Sequence, residues 1–167
     1  MPDRTFAKAL RHHKAGELTE AETIYRQMMA DFSDHSGCRY FLGVLAKDRG
    51  DLVMAAELIS AALALAPAHP ERHVELGDVY RFDGRLDEAA ACYRRALELD
   101  PELVGVECAL GSVLYRLGRV KDAVACCRRA ADTNPNDAEV HNILGAALVD
   151  LGDIEGAKQA LKRALGL

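Results

Sequence analysis

The chain has 167 residues, half of them apolar and 28% charged, a composition that fits a folded protein and excludes a disordered or fibrous one. Its 21 Lys and Arg against 26 Asp and Glu give a net charge of −5, which argues against sequence-independent binding of nucleic acid, since that rests on neutralising phosphates. Aromatics are only 5% and Trp is absent. With alanine abundant, closely packed helices are expected rather than sandwiched sheets.

The N-terminal segment MPDRTFAKALRHHKAGE is charged and has no apolar stretch, so it does not read as a secretion signal. The longest apolar run, Ala61 to Ala68, has eight residues, far short of the roughly 20 that span a bilayer, and no membrane insertion is expected. The main signal is a period. Gly16, Gly50, Gly84, Gly118 and Gly152 recur every 34 residues. Gly43, Gly77, Gly111 and Gly145 keep the same interval, as do Ala21, Ala55, Ala89, Ala123 and Ala157, and Pro67, Pro101 and Pro135. Several series with one period of this size mean a stacked array.

Taken in chain order, the repeats run 2–35, 36–69, 70–103, 104–137 and 138–167. The first departs from the others. It has Lys8-Ala9 where the second, fourth and fifth have Leu42-Gly43, Leu110-Gly111 and Leu144-Gly145, and Arg11 where they have Leu45, Val113 and Ala147. An array must hide its open first face with polar residues, so Met1 is expected to be a true array start. The third repeat shows the shape of all. Val74, Leu76, Gly77, Val79 and Tyr80 fall at helical spacing before Gly84, and Leu86, Ala89, Ala90, Tyr93, Ala96 and Leu97 after it. Gly84 stops and reverses the chain, and Pro101 ends the second helix. Each repeat is therefore an antiparallel helix pair, about ten helices in all, and no stretch reads as strand. The last helix, near Ile154 to Leu165, keeps Leu161, Ala164 and Leu165 where inner repeats meet a following one. That predicts either a longer native chain, the preferred reading, or pairing of this end with another molecule, and both predict self-association of this chain.

In these residues the sequence resembles the tetratricopeptide repeat family. The third repeat carries the signature as Leu76, Gly77, Tyr80, Ala89, Tyr93, Ala96 and Pro101, with His73 at its fourth position. The resemblance covers the whole chain as a single array. It implies an all-α, right-handed superhelical solenoid of five antiparallel helix pairs, with the first helices lining a concave groove that holds a partner segment. Carried over by position, the groove residues are Phe6, Leu10, His13 and Lys14; Tyr40, Val44 and Lys47; Val74, Asp78, Arg81 and Phe82; Cys108, Ser112, Tyr115 and Arg116; and Asn142, Ala146 and Val149. This stripe is apolar with a basic edge of Lys14, Lys47, Arg81 and Arg116, so the expected partner is an apolar peptide or protein segment with acidic groups. The Lys and Asn clamp that some members use for a C-terminal carboxylate is missing, as is the asparagine ladder of sugar-transferring members.

Catalysis is not expected. No nucleophile elbow, zinc-protease, P-loop or dinucleotide motif is present, and no cofactor or metal is called for. His73 and His141 read as packing residues between helices. Cys38, Cys92, Cys108, Cys126 and Cys127 are odd in number and lack zinc-site spacing, which fits reduced thiols in a cytoplasmic protein. The expected function is a protein-interaction scaffold. The alternative is the N-terminal recruiting arm of a larger, transferase-type enzyme whose catalytic domain lies beyond Leu167.

Overall fold

The computed structural model describes residues 2–166. These form ten α-helices and no strand: α1 (Pro2–Lys14), α2 (Leu18–Asp31), α3 (Ser36–Asp48), α4 (Leu52–Leu65), α5 (Pro70–Phe82), α6 (Leu86–Leu99), α7 (Val106–Arg116), α8 (Val120–Thr133), α9 (Ala138–Asp150) and α10 (Ile154–Ala164). The chain divides into two compact units, an N-terminal one ending at Asp83 and a C-terminal one beginning at Gly84. In the first, each of α1 to α4 packs on the helix that follows it, and α3 also meets α5. In the second, each of α6 to α9 does the same, and α7 also meets α9.

Within a pair the reversal is a two-residue device. After α3, Gly50 takes φ +82°, its N–H bonds the Lys47 carbonyl at 2.8 Å, and the Asp51 N–H bonds the Ala46 carbonyl at 2.9 Å. Those bonds satisfy the helix's last carbonyls only if the residue between adopts the left-handed conformation, which glycine does without a Cβ clash. Asp51 then caps α4 by accepting from the Met54 N–H at 3.0 Å.

Small residues let the two helices of a pair approach. A Cβ on Gly43 of α3 would lie 2.6 Å from Ile59 and 3.2 Å from the Ala55 carbonyl of α4. Ala21, Ala55, Ala89 and Ala123 are wholly buried. Around them sits the core. In the N-terminal unit Ala9, Ala21, Tyr25, Met28, Cys38 and Leu45 form a cluster flanked by Phe6, Phe41 and Leu42. In the C-terminal unit Cys108, Val124, Cys127, Val140, Leu144 and Leu148 take that role. Fully burying one side chain such as Ile59 contributes about 1.5–3 kcal/mol.

Between pairs, the loops are tied by a bond that the sequence reading did not foresee. The fourth residue of a repeat reaches back six residues to a loop carbonyl. Arg39 donates to Ser33 at 2.6 Å, His73 Nε2 lies 2.9 Å from the Pro67 carbonyl, and His141 Nε2 lies 2.7 Å from that of Pro135. The two histidines, expected as packing residues, are therefore loop clips, His141 fully buried and His73 half-buried. Glu107 holds this place in the fourth repeat and has no hydrogen to give. It accepts instead from Arg129 through two bonds of 2.8 Å. Here the loop runs longer: Gly105, at φ +82°, caps α7, which starts at Val106 rather than at the repeat boundary.

Candidate functional site

The residues assigned to the partner face lie on α1, α3 and α5 in the N-terminal unit, and on α7 and α9 in the C-terminal unit. In the first unit, Tyr40, Val44, Lys47, Val74, Asp78 and Arg81 are half-buried, while Lys14 and Phe82 are exposed. Leu10 is half-buried on α1. In the second unit Ser112, Tyr115 and Ala146 are half-buried, and Arg116, Asn142 and Val149 are exposed. Side chains on rigid helices with apolar bodies and polar tips are suited to gripping a segment without reorganising.

Three assignments are corrected. Cys108 is only 7% exposed and packs with Val124, Cys127 and Val140 in the core. It occupies the same helical position as Tyr40, but a thiol is too short to emerge where a phenol does, and burial pushes its pKa up to about 11. Phe6 and His13 are half-buried members of an aromatic cluster rather than a free face, and Tyr40 meets the edge of that cluster with its ring 5.0 Å from Phe41. The Phe6 ring lies 4.6 Å from His35 and 6.0 Å from Phe41, and His13 lies 5.2 Å from Phe41 and 6.1 Å from Tyr25.

The basic edge is also partly spent. Lys47 is paired with Glu75, and Arg81 donates to Asp78 at 3.1 Å while lying 4.6 Å over the Phe82 ring. Burial works against the charged form of Lys47, but the Glu75 bond and the charges of Glu75, Asp48 and Asp78 outweigh it and raise its pKa. Among the described residues Lys14 and Arg116 make no ion pair. The tyrosines are held as neutral donors. Burial first, and then Glu75, pushes Tyr40 up to about 12, and a hydrogen bond to Asp150 raises Tyr115. Arg72, which the stripe omitted, stands over Tyr40 with its guanidinium carbon 5.1 Å from the ring centre. Its place, two residues before Val74, gave no signal in sequence.

Elsewhere in the N-terminal unit a cleft of about 700 Å³ is lined by α2, α3 and α4 side chains, among them Leu42, Ala46, Ala61, Arg26, Arg39 and Arg49. Its arginines are engaged: Arg26 and Arg49 pair with buried Glu22, and Arg39 with the Ser33 carbonyl. At the C-terminal end, Leu161 turns out to cover Gly145 of α9, where a Cβ would lie 2.7 Å from it, and keeps 40% exposure. Ala164 is half-buried and Leu165 is 74% exposed. No group of three or more His, Cys, Asp or Glu among the described residues is placed to hold a metal ion. Among the same residues no helix is long and apolar enough to cross a membrane.

Comparison with known proteins bears on this arrangement. A family model described as tetratricopeptide repeat matches residues 6–70 and 108–167, and one described as TPR repeat matches residues 77–118. Among solved structures, MamA MSR-1 is 25% identical, with TM-score 0.85 over 99% of this chain and 95% of that one. MamA AMB-1 is 26% identical, with TM-score 0.86 over 98% of this chain and 96% of that one. YrrB, described as a TPR protein with an unusual peptide-binding site, has TM-score 0.91 over 97% of this chain and 84% of its own, at 18% identity, a likeness of fold. Among curated proteins none matches by sequence.

Proposed function

The chain belongs to the tetratricopeptide repeat family, and from that premise we propose that it is a non-catalytic scaffold that binds a protein or peptide segment along the faces of its first helices. The observation that carries this reading is a set of half-buried side chains on the first helices of each unit, Tyr40, Val44 and Val74 in one and Ser112, Tyr115 and Ala146 in the other. The peptide-binding site described for YrrB supports it by analogy of fold. The five cysteines are free thiols, which supports a reducing, cytoplasmic setting. Exposed Leu165 and half-exposed Leu161 support self-association of copies through α10.

A phage-displayed library of randomised twelve-residue peptides, selected on the whole chain, tests the reading. Selected peptides should bind a Tyr40→Ala/Tyr115→Ala double variant about tenfold or more weakly, as expected when large aromatic contacts are truncated. Far-UV circular dichroism should be unchanged. Equal affinity for both proteins, or no selected peptide at all, would overturn it.

A further inference from the structure

On the N-terminal unit the helix face carries a cation that makes no ion pair among the described residues. Arg72 sits in the first turn of α5 and lies over the Tyr40 ring of α3 at 5.1 Å. It is half-buried, its Nη1 is shut off from solvent, and that nitrogen has no hydrogen-bond partner among the described residues. The other two half-buried cations of this face each have a carboxylate: Lys47 has Glu75, and Arg81 has Asp78. Glu75 is the acid one helical turn along from Arg72, the spacing that usually pairs on a helix, but it is taken by Lys47. Glu71, on the preceding residue, acts on Arg72 through space but forms no ion pair with it.

Burial works against the charged form of Arg72, and neither the phenol ring nor the charge of Glu71 fully offsets it. The ring beneath it limits where the guanidinium can move. A planar guanidinium presents paired N–H groups that match the two oxygens of a carboxylate. Tyr40, with its pKa pushed up to about 12, keeps its hydroxyl proton and adds a neutral donor. The surroundings select for a single charge. Glu71 and Glu75 both act on Tyr40 electrostatically, so a dianionic phosphate would meet repulsion that a carboxylate feels at half strength.

We propose that Arg72, stacked on Tyr40, is the receptor for one Asp or Glu side chain of the segment bound on this face. This rests on the reading of the first-helix faces as the partner surface, and it moves the acid preference from the basic edge to a single residue outside it.

The peptides selected above test it by a double-mutant cycle. They should carry an Asp or Glu at one fixed place beside apolar residues. Changing that acid to its amide should weaken binding to the native chain about tenfold, the size of a charge-assisted contact, and should cost nothing on Arg72→Gln. Arg72→Lys should retain part of the preference. Arg72→Gln should melt no lower than the native chain, since it removes a charge that burial disfavours. The proposal falls if selected peptides have no acidic place, or if the acid-to-amide change costs the same on Arg72→Gln. It also falls if a phosphoserine at that place binds tighter than the acid. Each of these outcomes leaves the wider reading standing so long as the Tyr40→Ala/Tyr115→Ala variant still binds the peptides more weakly. If that variant binds normally, the wider reading fails and this proposal fails with it.

Discussion

At the N-terminal end the space between α1, α2 and α3 is filled by rings. Tyr25 is fully buried, stacks on Phe41 at 5.6 Å and 9°, and has Phe6 and His13 at 6.1 Å. The helix position of Tyr25 is held by Ile59 in α4 and, in the C-terminal unit, by Tyr93, then Cys127 and then Leu161. Cys127 is as fully buried as Tyr25 but much smaller, and its burial raises its pKa to about 12. One backbone period thus tolerates two core chemistries, provided the alanines and close-approach glycines stay in place. The two should differ in how much a single truncation costs.

The largest effect expected is from Tyr25→Ala, which should lower stability by about 3–5 kcal/mol, whereas Cys127→Ala should cost about 1 kcal/mol because it deletes one heavy atom. Pulsed thiol labelling during denaturation reads the two units apart, since Cys38 lies in the ring cluster and Cys108 and Cys127 lie in the other core. Tyr25→Ala should open Cys38 while Cys108 and Cys127 stay protected, as local coupling between neighbouring repeats requires. Simultaneous labelling of all three would show that the two cores melt as one.

A smaller change, of opposite sign, should come from Tyr25→Phe. The Tyr25 hydroxyl is buried without a hydrogen-bond partner among the described residues, so its removal should raise stability by about 1 kcal/mol. A loss measured by urea denaturation would mean that the hydroxyl is satisfied in solution. The smallest effect concerns pH. The bond from Arg49 holds the Glu22 carboxyl below its ordinary value of 4.5 despite the opposing effect of burial, with the charges of Arg26 and Arg49 adding to it. A carboxylate with a lowered folded pKa stabilises fully above the unfolded value and loses that contribution as pH falls through the folded one. Melting of the N-terminal unit, followed through Cys38, should therefore decline below pH 4.5 more steeply in the native chain than in Glu22→Gln. Parallel curves would remove Glu22 from the account.

The fold was legible because the period exposes it. Glycine at the turns and alanine between helices recur for steric reasons that survive any change of core residue. One helix start was not legible: within the fourth repeat a left-handed Gly105 delays the first helix to Val106, and only the glycine in the second place of that repeat pointed to this. The partner face was legible by position and not by pairing. Position put Tyr40 and Cys108 in one class, though side-chain length alone separates a surface phenol from a buried thiol. It put Lys47 on a basic edge, though Glu75, 28 residues on, had already claimed it. It passed over Arg72, whose significance arises from its contact with Tyr40 and from Glu75 being already taken.

The back-reaching bond from the fourth residue of a repeat has a bearing on how such a chain is assembled and re-cut. Its acceptor is a main-chain carbonyl, so the preceding loop is free to vary: Ser33 serves as well as Pro67 or Pro135. A repeat bearing Arg39, His73 or His141 carries its own fastening and asks of its predecessor only a peptide group. Such repeats are exchangeable parts for duplication or for engineered shuffling. The repeat bearing Glu107 has traded that fastening for a bond to its own second helix, and it makes the natural joint at which to lengthen, label or splice the chain.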